Sequence, residues 1–432
     1  MLISRKKYLR FFCYFFLNMN WIIDVLHIPE AVKNIIYVLA MILIVWTLCN
    51  SNKHRIEKEN RWVVKWIILY TVGIIAGWCI NGMSPILFLW AFTKTYLLFF
   101  FFITCSIVYD IDEMEAFFDL LYKYQKVNVI MCIFQFLILH KSGDWLGGIF
   151  GIRQGANAYT NIYFMIICVY SMVKYLKKQQ KLRSLLWILG SSCIVAGITE
   201  LTAFFVELAI ILVVSTLLSR NVSRKTTAMV MGTSIVLLGV FTLLTFFPER
   251  LSNIYNLDSL MIYLGGRENS YYTANGFYVG GAYSVSRLNP FKQINDRYFK
   301  DDIAKLLFGY GLGNCEMSTN ISILQSDFYL SNKSYVYYIF SHAATFIETG
   351  YWGVFCYAYM LFNLVKSWFK HHKEVNAHSG LMDVGIVMVV MTIVLFFYNS
   401  SVRTISAFLL YISLCSIPIY VKWSNSRRYQ SN

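Results

Sequence analysis

The chain has 432 residues, 57% of them hydrophobic and only 14% charged, with a mean hydropathy of +0.53. That charged fraction is about half of what a soluble domain carries, so a water-soluble globule is excluded and a bilayer is the solvent that fits. The net charge of +15 does not point to nucleic acid, because the basic residues lie in short clusters between apolar runs, as membrane orientation requires.

In chain order, apolar runs fall near 9–26, 34–49, 62–79, 86–108, 125–139, 160–173, 185–198, 201–218, 227–247, 351–367, 381–398 and 403–421. They predict an all-α, polytopic helical membrane bundle of about twelve spans, with 10–12 compatible with the pattern. The opening MLISRKKYLR leads into the first run without a small-residue cleavage site, so no cleavable signal peptide is expected. Nine of the ten cysteines sit in or beside apolar runs and Cys315 alone lies in a polar segment; no disulfide framework, CxxC pattern or metal site is expected.

Sidedness follows from lysine and arginine. With the N- and C-termini on the cytoplasmic side, the inner segments, such as SNKHRIEKENR (51–61) and KYLKKQQKLRS (174–184), hold 23 of these residues. The short outer loops hold three: Lys33, Lys141 and Arg153. This asymmetry is a strong positive-inside signal. By parity the segment 248–350 lies outside. The organisation expected is therefore a bundle over 1–247, a long external loop over 248–350, and further helices with a cytoplasmic tail over 351–432. The loop is rich in Tyr, Asn, Ser and Gly, and its nine acids roughly balance its eight bases, which suits a folded lid.

Several polar groups then share the outer face. GIFGIRQGANAYTN (148–161) carries Arg153, and the long loop carries Arg267 and Arg287. Guanidinium groups with no carboxylate beside them suit phosphate oxygens, with solvated surface charge as the plainer explanation. Lys94 lies roughly 12 Å below the outer edge of its span by helical rise. Glu207, seven residues from Glu200 on one helix face, sits at comparable depth. A Lys94–Glu207 pair is expected, either as a polar site or as structural glue, with outward snorkelling of Lys94 as the alternative.

The GYGLGN stretch (309–314) could cradle a phosphate on backbone amides, but a tight turn suits a lone Gly-x-Gly-x-Gly better. His342 and Glu348 are six apart, about 120° around a helix, so each should meet groups from other segments. His342 could take a proton from a hydroxyl, or be an interfacial histidine satisfied by headgroups.

Taken in order, R-Q-G-A-N (153–157), the hairpin T-E-L-T-A (199–203), F-G-Y-G-L-G (308–313) and the H…E-T-G run (342–350) resemble the O-antigen polymerase and ligase superfamily. The likeness, over residues 85–420, is to the Wzy-type polymerases of O-antigen, capsule and exopolysaccharide pathways. It implies a glycosyltransferase of the bacterial cytoplasmic membrane that moves a glycan from an undecaprenyl-diphosphate carrier to a sugar hydroxyl of another lipid-linked unit. It implies no metal or cofactor. Its partners would be the lipid-linked oligosaccharide, the bilayer, a flippase and a chain-length regulator. By the same resemblance Arg153 and Arg287, with Arg267, would grip the diphosphate, His342 would activate the acceptor and Glu348 would brace the loop-to-helix junction. The sequence departs from the pattern at Glu200, where relatives carry a basic residue in the hairpin, so Glu200 receives no role.

Other readings predict different features. An O-antigen ligase would use the same face and the same arginines. A lipid-linked oligosaccharide flippase or other transporter would spread charge along a central cavity and carry short loops. A metal-dependent multispan glycosyltransferase would carry an acidic pair in its first outer loop, which here is HIPEAVK (27–33). A membrane acyltransferase would show a catalytic His-Asp motif.

Overall fold

The computed structural model describes residues 5–49, 58–219, 221–246, 285, 289–318, 321–333, 335–373 and 378–431. Arg267 and Arg287 lie outside these residues. The described chain is helical, with no β-strand.

Nine helices come first: α1 (Arg5–Val25), α2 (Glu30–Cys49), α3 (Trp62–Asn81), α4 (Pro85–Val108), α5 (Ile111–Leu137), α6 (Ala156–Leu176), α7 (Leu182–Ile198), α8 (Thr202–Leu218) and α9 (Val222–Phe246). Among the described residues, three short helices come next: α10 (Pro290–Ile294), α11 (Ile303–Phe308) and α12 (Asp327–Asn332). The chain closes with α13 (Ser341–His371), α14 (Ser379–Tyr398), α15 (Ala407–Leu414) and α16 (Ser416–Ser431). Every predicted apolar run falls largely on helix. Seven stretches among the described residues are long and apolar enough to cross a membrane: Val32–Cys49, Lys58–Asn81, Pro85–Val108, Ala156–Leu176, Val222–Phe246, Ser379–Tyr398 and Ala407–Arg427.

Burial separates centre from rim. The apolar stretches of α6 and of α15 with α16 are each 89% buried inside the protein, whereas that of α9 is 17% buried. A helix apolar on all sides needs either protein or lipid around it, and these two extremes mark the middle of the bundle and its outer wall.

The fifth run carries three amide side chains, Gln125, Asn128 and Gln135, and the structure shows what they do. Helix α5 turns a stripe of amides inward. Gln125 Nε2 donates to Ser191 Oγ at 2.9 Å, and Asn128 Oδ1 accepts from Ile149 N–H at 3.1 Å. Gln135 closes a double bond with Gly148: its Nε2 donates to the carbonyl at 2.8 Å and its Oε1 accepts from the N–H at 2.7 Å. Asn128 and Gln135 thereby satisfy backbone groups of the irregular loop 143–151, most of which is buried. Non-helical backbone inside a bundle persists only where such partners exist.

The short helices α10–α12 and their connections are folded around a small core of their own, in which Ile294, Phe299, Cys315, Tyr337, Phe340 and Phe346 are buried. Helix α11 starts at Asp302, whose carboxylate accepts from Ala304 N–H at 3.0 Å and Lys305 N–H at 3.3 Å. Those Lys305 contacts hold the Asp302 carboxyl below the usual carboxylate range. This segment is fastened to one end of the bundle. Asn81 Nδ2 donates to Gly309 O at 2.9 Å, and Asn314 Nδ2 donates to Gly82 O at 3.0 Å.

Helix α13 breaks at Gly350, where φ is 58° and ψ is −159°. A Cβ there would lie 2.4 Å from the Leu307 carbonyl carbon, so only glycine lets α11 approach this closely. Gly309 meets the same seam from the other side, its would-be Cβ 2.4 Å from the Glu348 carbonyl carbon. The sequence places the tenth apolar run at 351–367, immediately after this break.

The opposite end of the bundle is salt-bridged. Lys174 pairs with Asp119 at 2.9 Å and Lys177 with Asp383 at 2.7 Å; His378 Nδ1 lies 2.9 Å from Glu115. His371 Nε2 lies 3.0 Å from Glu59 Oε2, and Lys370 joins the same carboxylate. Lys422 Nζ donates to the carbonyls of Ile107 and Tyr109 at the C-terminus of α4, a favourable placement for a cation.

Candidate functional site

At the end of the bundle that bears the short helices, two ion pairs lie close together. Lys94, two and a half turns into α4, pairs with Glu316, which follows the glycine-rich turn. Arg403, in the turn between α14 and α15, pairs with Glu348, two residues before the α13 break. Glu348 is within electrostatic reach of Arg403, Glu316 and Lys94, so the two pairs form one cluster. Tyr70 and Tyr357 stand beside Arg403. Four distant parts of the chain thus contribute one charge each, and the sum is zero.

The exposure within each pair is uneven. The side chains of Lys94 and Arg403 are 27% and 17% exposed, those of Glu316 and Glu348 8% and 4%. In each pair the cation is the more exposed member and the carboxylate the more buried one. Burying a charge is tolerated where it is paired in this way.

The expected partnership of Lys94 with Glu207 is therefore not what forms. Lys94 reaches Glu316, and Glu207 accepts from Asn161 Nδ2 at 2.9 Å on the α6–α8 interface. The physical reason is the short-helix segment, which brings a carboxylate down onto α4, while Glu207 is turned toward Asn161 on α6. Depth along each helix is legible from the sequence, but the azimuth that decides between two carboxylates is not.

Arg153 differs in a second respect from its expected setting. It is not clear of carboxylates: its Nη2 donates to Asn20 Oδ1 at 2.7 Å, and Asp24 lies 3.4 Å away at the end of α1. Asp24 also accepts from Ile152 N–H at 2.9 Å, so the R-Q-G-A-N turn is tied to α1. Nearby, Asn157 Nδ2 donates to Asp144 at 2.7 Å.

His342 is completely buried. Its Nδ1 lies 3.1 Å from Phe396 O, and its ring is enclosed by Phe291, Phe340, Phe396 and Phe397. As the six-residue spacing implies, His342 and Glu348 meet different partners: the end of α14 for the one, Arg403 for the other. The imidazole sits one aromatic layer below the surface, under the 40%-exposed Phe397. It does not line an open, watery pocket, because the neighbouring rings are more favourably buried against it than exposed.

The GYGLGN stretch is a turn. Tyr310 N–H donates to Ile347 O at 2.8 Å and Gly311 N–H to Glu348 O at 2.9 Å, so these amides are spent on the α13 seam. Its consequence for the site is mechanical, since it fixes the backbone of Glu348 and sets Glu316 three residues beyond Gly313. Cys315 lies against this cluster, but burial first and the Glu348 carboxylate second push its thiol up, which leaves it a poor nucleophile.

Two members of the cluster, Arg403 and Glu316, are not among the residues that sequence reasoning singles out. A signal exists for the first: Arg403 interrupts an otherwise apolar run, and an ionisable residue at membrane depth is a site candidate by default. For Glu316, one of nine acids in the segment, no sequence signal distinguishes it.

The fold and site define an all-helical protein with several membrane-length apolar helices and a buried two-pair ion cluster at one end. No protein-family model matches the chain, and comparison with curated proteins finds no relative.

Proposed function

We propose that the protein is a repeat-unit polymerase of lipid-linked glycans, working on the non-cytoplasmic face of a bacterial cytoplasmic membrane. In this reading the bundle has twelve spans, the segment 248–350 is external, and both termini are cytoplasmic. The observation that carries it is that the F-G-Y-G-L-G turn, the H…E-T-G run and Arg403 meet on one seam, at helix ends that parity assigns to the outer side, while the R-Q-G-A-N turn is tied separately to α1.

The chemistry joins a sugar hydroxyl of the acceptor unit to the anomeric carbon of the donor. The carbon–oxygen bond to the diphosphate breaks, and its electron pair leaves on the diphosphate. Developing negative charge there is best met by fixed cations, which act at once and need no reorganisation. Arg153, with Arg267 and Arg287, would neutralise the diphosphate. His342 would accept the hydroxyl proton once Phe397 moves aside, and Glu348 would brace the junction, a role its buried pairing with Arg403 and its hydrogen-bonded carbonyl both favour.

Replacing Arg153 with Gln and His342 with Gln, singly in the producing cell, tests this. Each variant, present in the membrane at the wild-type level, is expected to shift surface glycan from long chains toward single repeat units on a gel. Unchanged chain length in both would overturn the assignment.

A further inference from the structure

Lys94 and Arg403 keep donors, among the described residues, beyond those that their ion pairs use. Among the described residues, the Arg403 side chain makes one hydrogen bond, from Nη2 to Glu348 Oε2. A guanidinium carries five N–H donors in a planar fork, so most of this one is left for something else. Lys94 has three donors and gives one to Glu316, with its ammonium 5.4 Å from the Trp90 ring. In each pair the carboxylate is the more deeply buried member. A pair built only to glue helices gains most when both partners are fully enclosed and fully bonded. Here the cation of each pair is left partly open with donors to spare.

We propose that Lys94 and Arg403 together form a seat for the oxygens of a phosphate-bearing group, with Glu316 and Glu348 as positioning residues beneath them. The fork of Arg403 supplies bidentate contact and Lys94 a compact point charge, the complementary roles these two residues take around phosphate. The carboxylates keep the cluster neutral when it is empty, and because they are the more buried members, the cations are the charges left nearer the surface. In the polymerase reading, on which the choice of ligand rests, the occupant is the diphosphate of the lipid carrier. A phospholipid headgroup offers the same chemistry from the bilayer.

The test uses the full-length protein purified in detergent and followed by thermal unfolding, with inorganic diphosphate as the first probe. Diphosphate is expected to raise the unfolding temperature of the wild type. The apparent affinity should fall at least about tenfold in Lys94→Gln and in the double variant Glu348→Gln/Arg403→Gln, which leaves no unpaired buried charge. Glu348→Gln alone keeps an acceptor for Arg403 and removes a negative charge, so it is expected to bind diphosphate about tenfold more tightly, an effect that loss of a structural brace would not produce. A second arm places the protein in phosphatidylglycerol or phosphatidylcholine vesicles.

Stabilisation by phosphatidylglycerol that needs Lys94 and Arg403, without a diphosphate response, keeps the seat and assigns it to a bilayer lipid. A diphosphate response in a protein whose Arg153 and His342 variants still make long glycan keeps the seat and removes the polymerase. Equal responses in wild type, Lys94→Gln and the double variant, to either probe, overturn the proposal.

Discussion

Gly350→Ala is expected to yield little folded protein. The residue sits at φ 58° and ψ −159°, a region essentially reserved for glycine, where a side chain costs on the order of 1–3 kcal/mol in backbone strain alone. The new methyl would also stand 2.4 Å from the Leu307 carbonyl carbon and 2.5 Å from its oxygen. Both contacts are backbone, so no rotamer change relieves them. Relief requires α11 to retreat from the α13 seam, and that retreat pulls on the Ile347 and Glu348 carbonyls that hold the glycine-rich turn. The readout is thermal unfolding and gel filtration of the detergent-purified protein. A variant that elutes as wild type and unfolds at the wild-type temperature would show that the seam is not closed as described.

Breaking the Arg403–Glu348 pair from one side is expected to cost more than removing both partners. Glu348→Leu leaves a guanidinium without the one side-chain acceptor it has among the described residues, and Arg403→Leu leaves a buried carboxylate without its cation. Removing one partner of a buried pair typically costs about 3–5 kcal/mol, whereas replacing both with apolar residues is often close to neutral. The double variant Glu348→Leu/Arg403→Leu should therefore be more stable than either single variant, with a coupling energy of about 1–3 kcal/mol in the cycle. Additive losses would mean that the two side chains act independently. This contrast also separates stability from function, because the double variant, although folded, has lost the Arg403 fork and should bind diphosphate at least about tenfold more weakly.

The helices are legible from apolar length alone, because a stretch near 18 apolar residues has few other ways to satisfy its backbone. The tenth apolar run is expected to start at 351, but the break in the helix at Gly350 is a finding of the structure. What the sequence does not disclose is rotation about each helix. Lys94 is recognisable as a buried cation, yet Glu316 and not Glu207 answers it, since helical rise fixes depth but not the neighbour. The polarity of His342 suggests a group facing water, whereas four phenylalanines from three segments enclose it. Local sequence cannot show that, because two of those rings, Phe396 and Phe397, arrive from α14, more than fifty residues away. Arg153 looks free of carboxylates in the sequence because Asp24, its neighbour in space, is 129 residues earlier in the chain.

The proposed function requires the end of the bundle that bears Lys94 and Arg403 to face away from the cytoplasm. Ile323 lies on the short-helix segment and is 62% exposed, so an Ile323→Cys variant, made in a Cys79→Ser and Cys49→Ser background, reports that orientation. In intact cells a membrane-impermeant maleimide is expected to label the introduced thiol to the same extent as after permeabilisation. Labelling that appears only once the membrane is opened would place the segment, and the Lys94–Arg403 cluster with it, on the cytoplasmic side, and the account would fail.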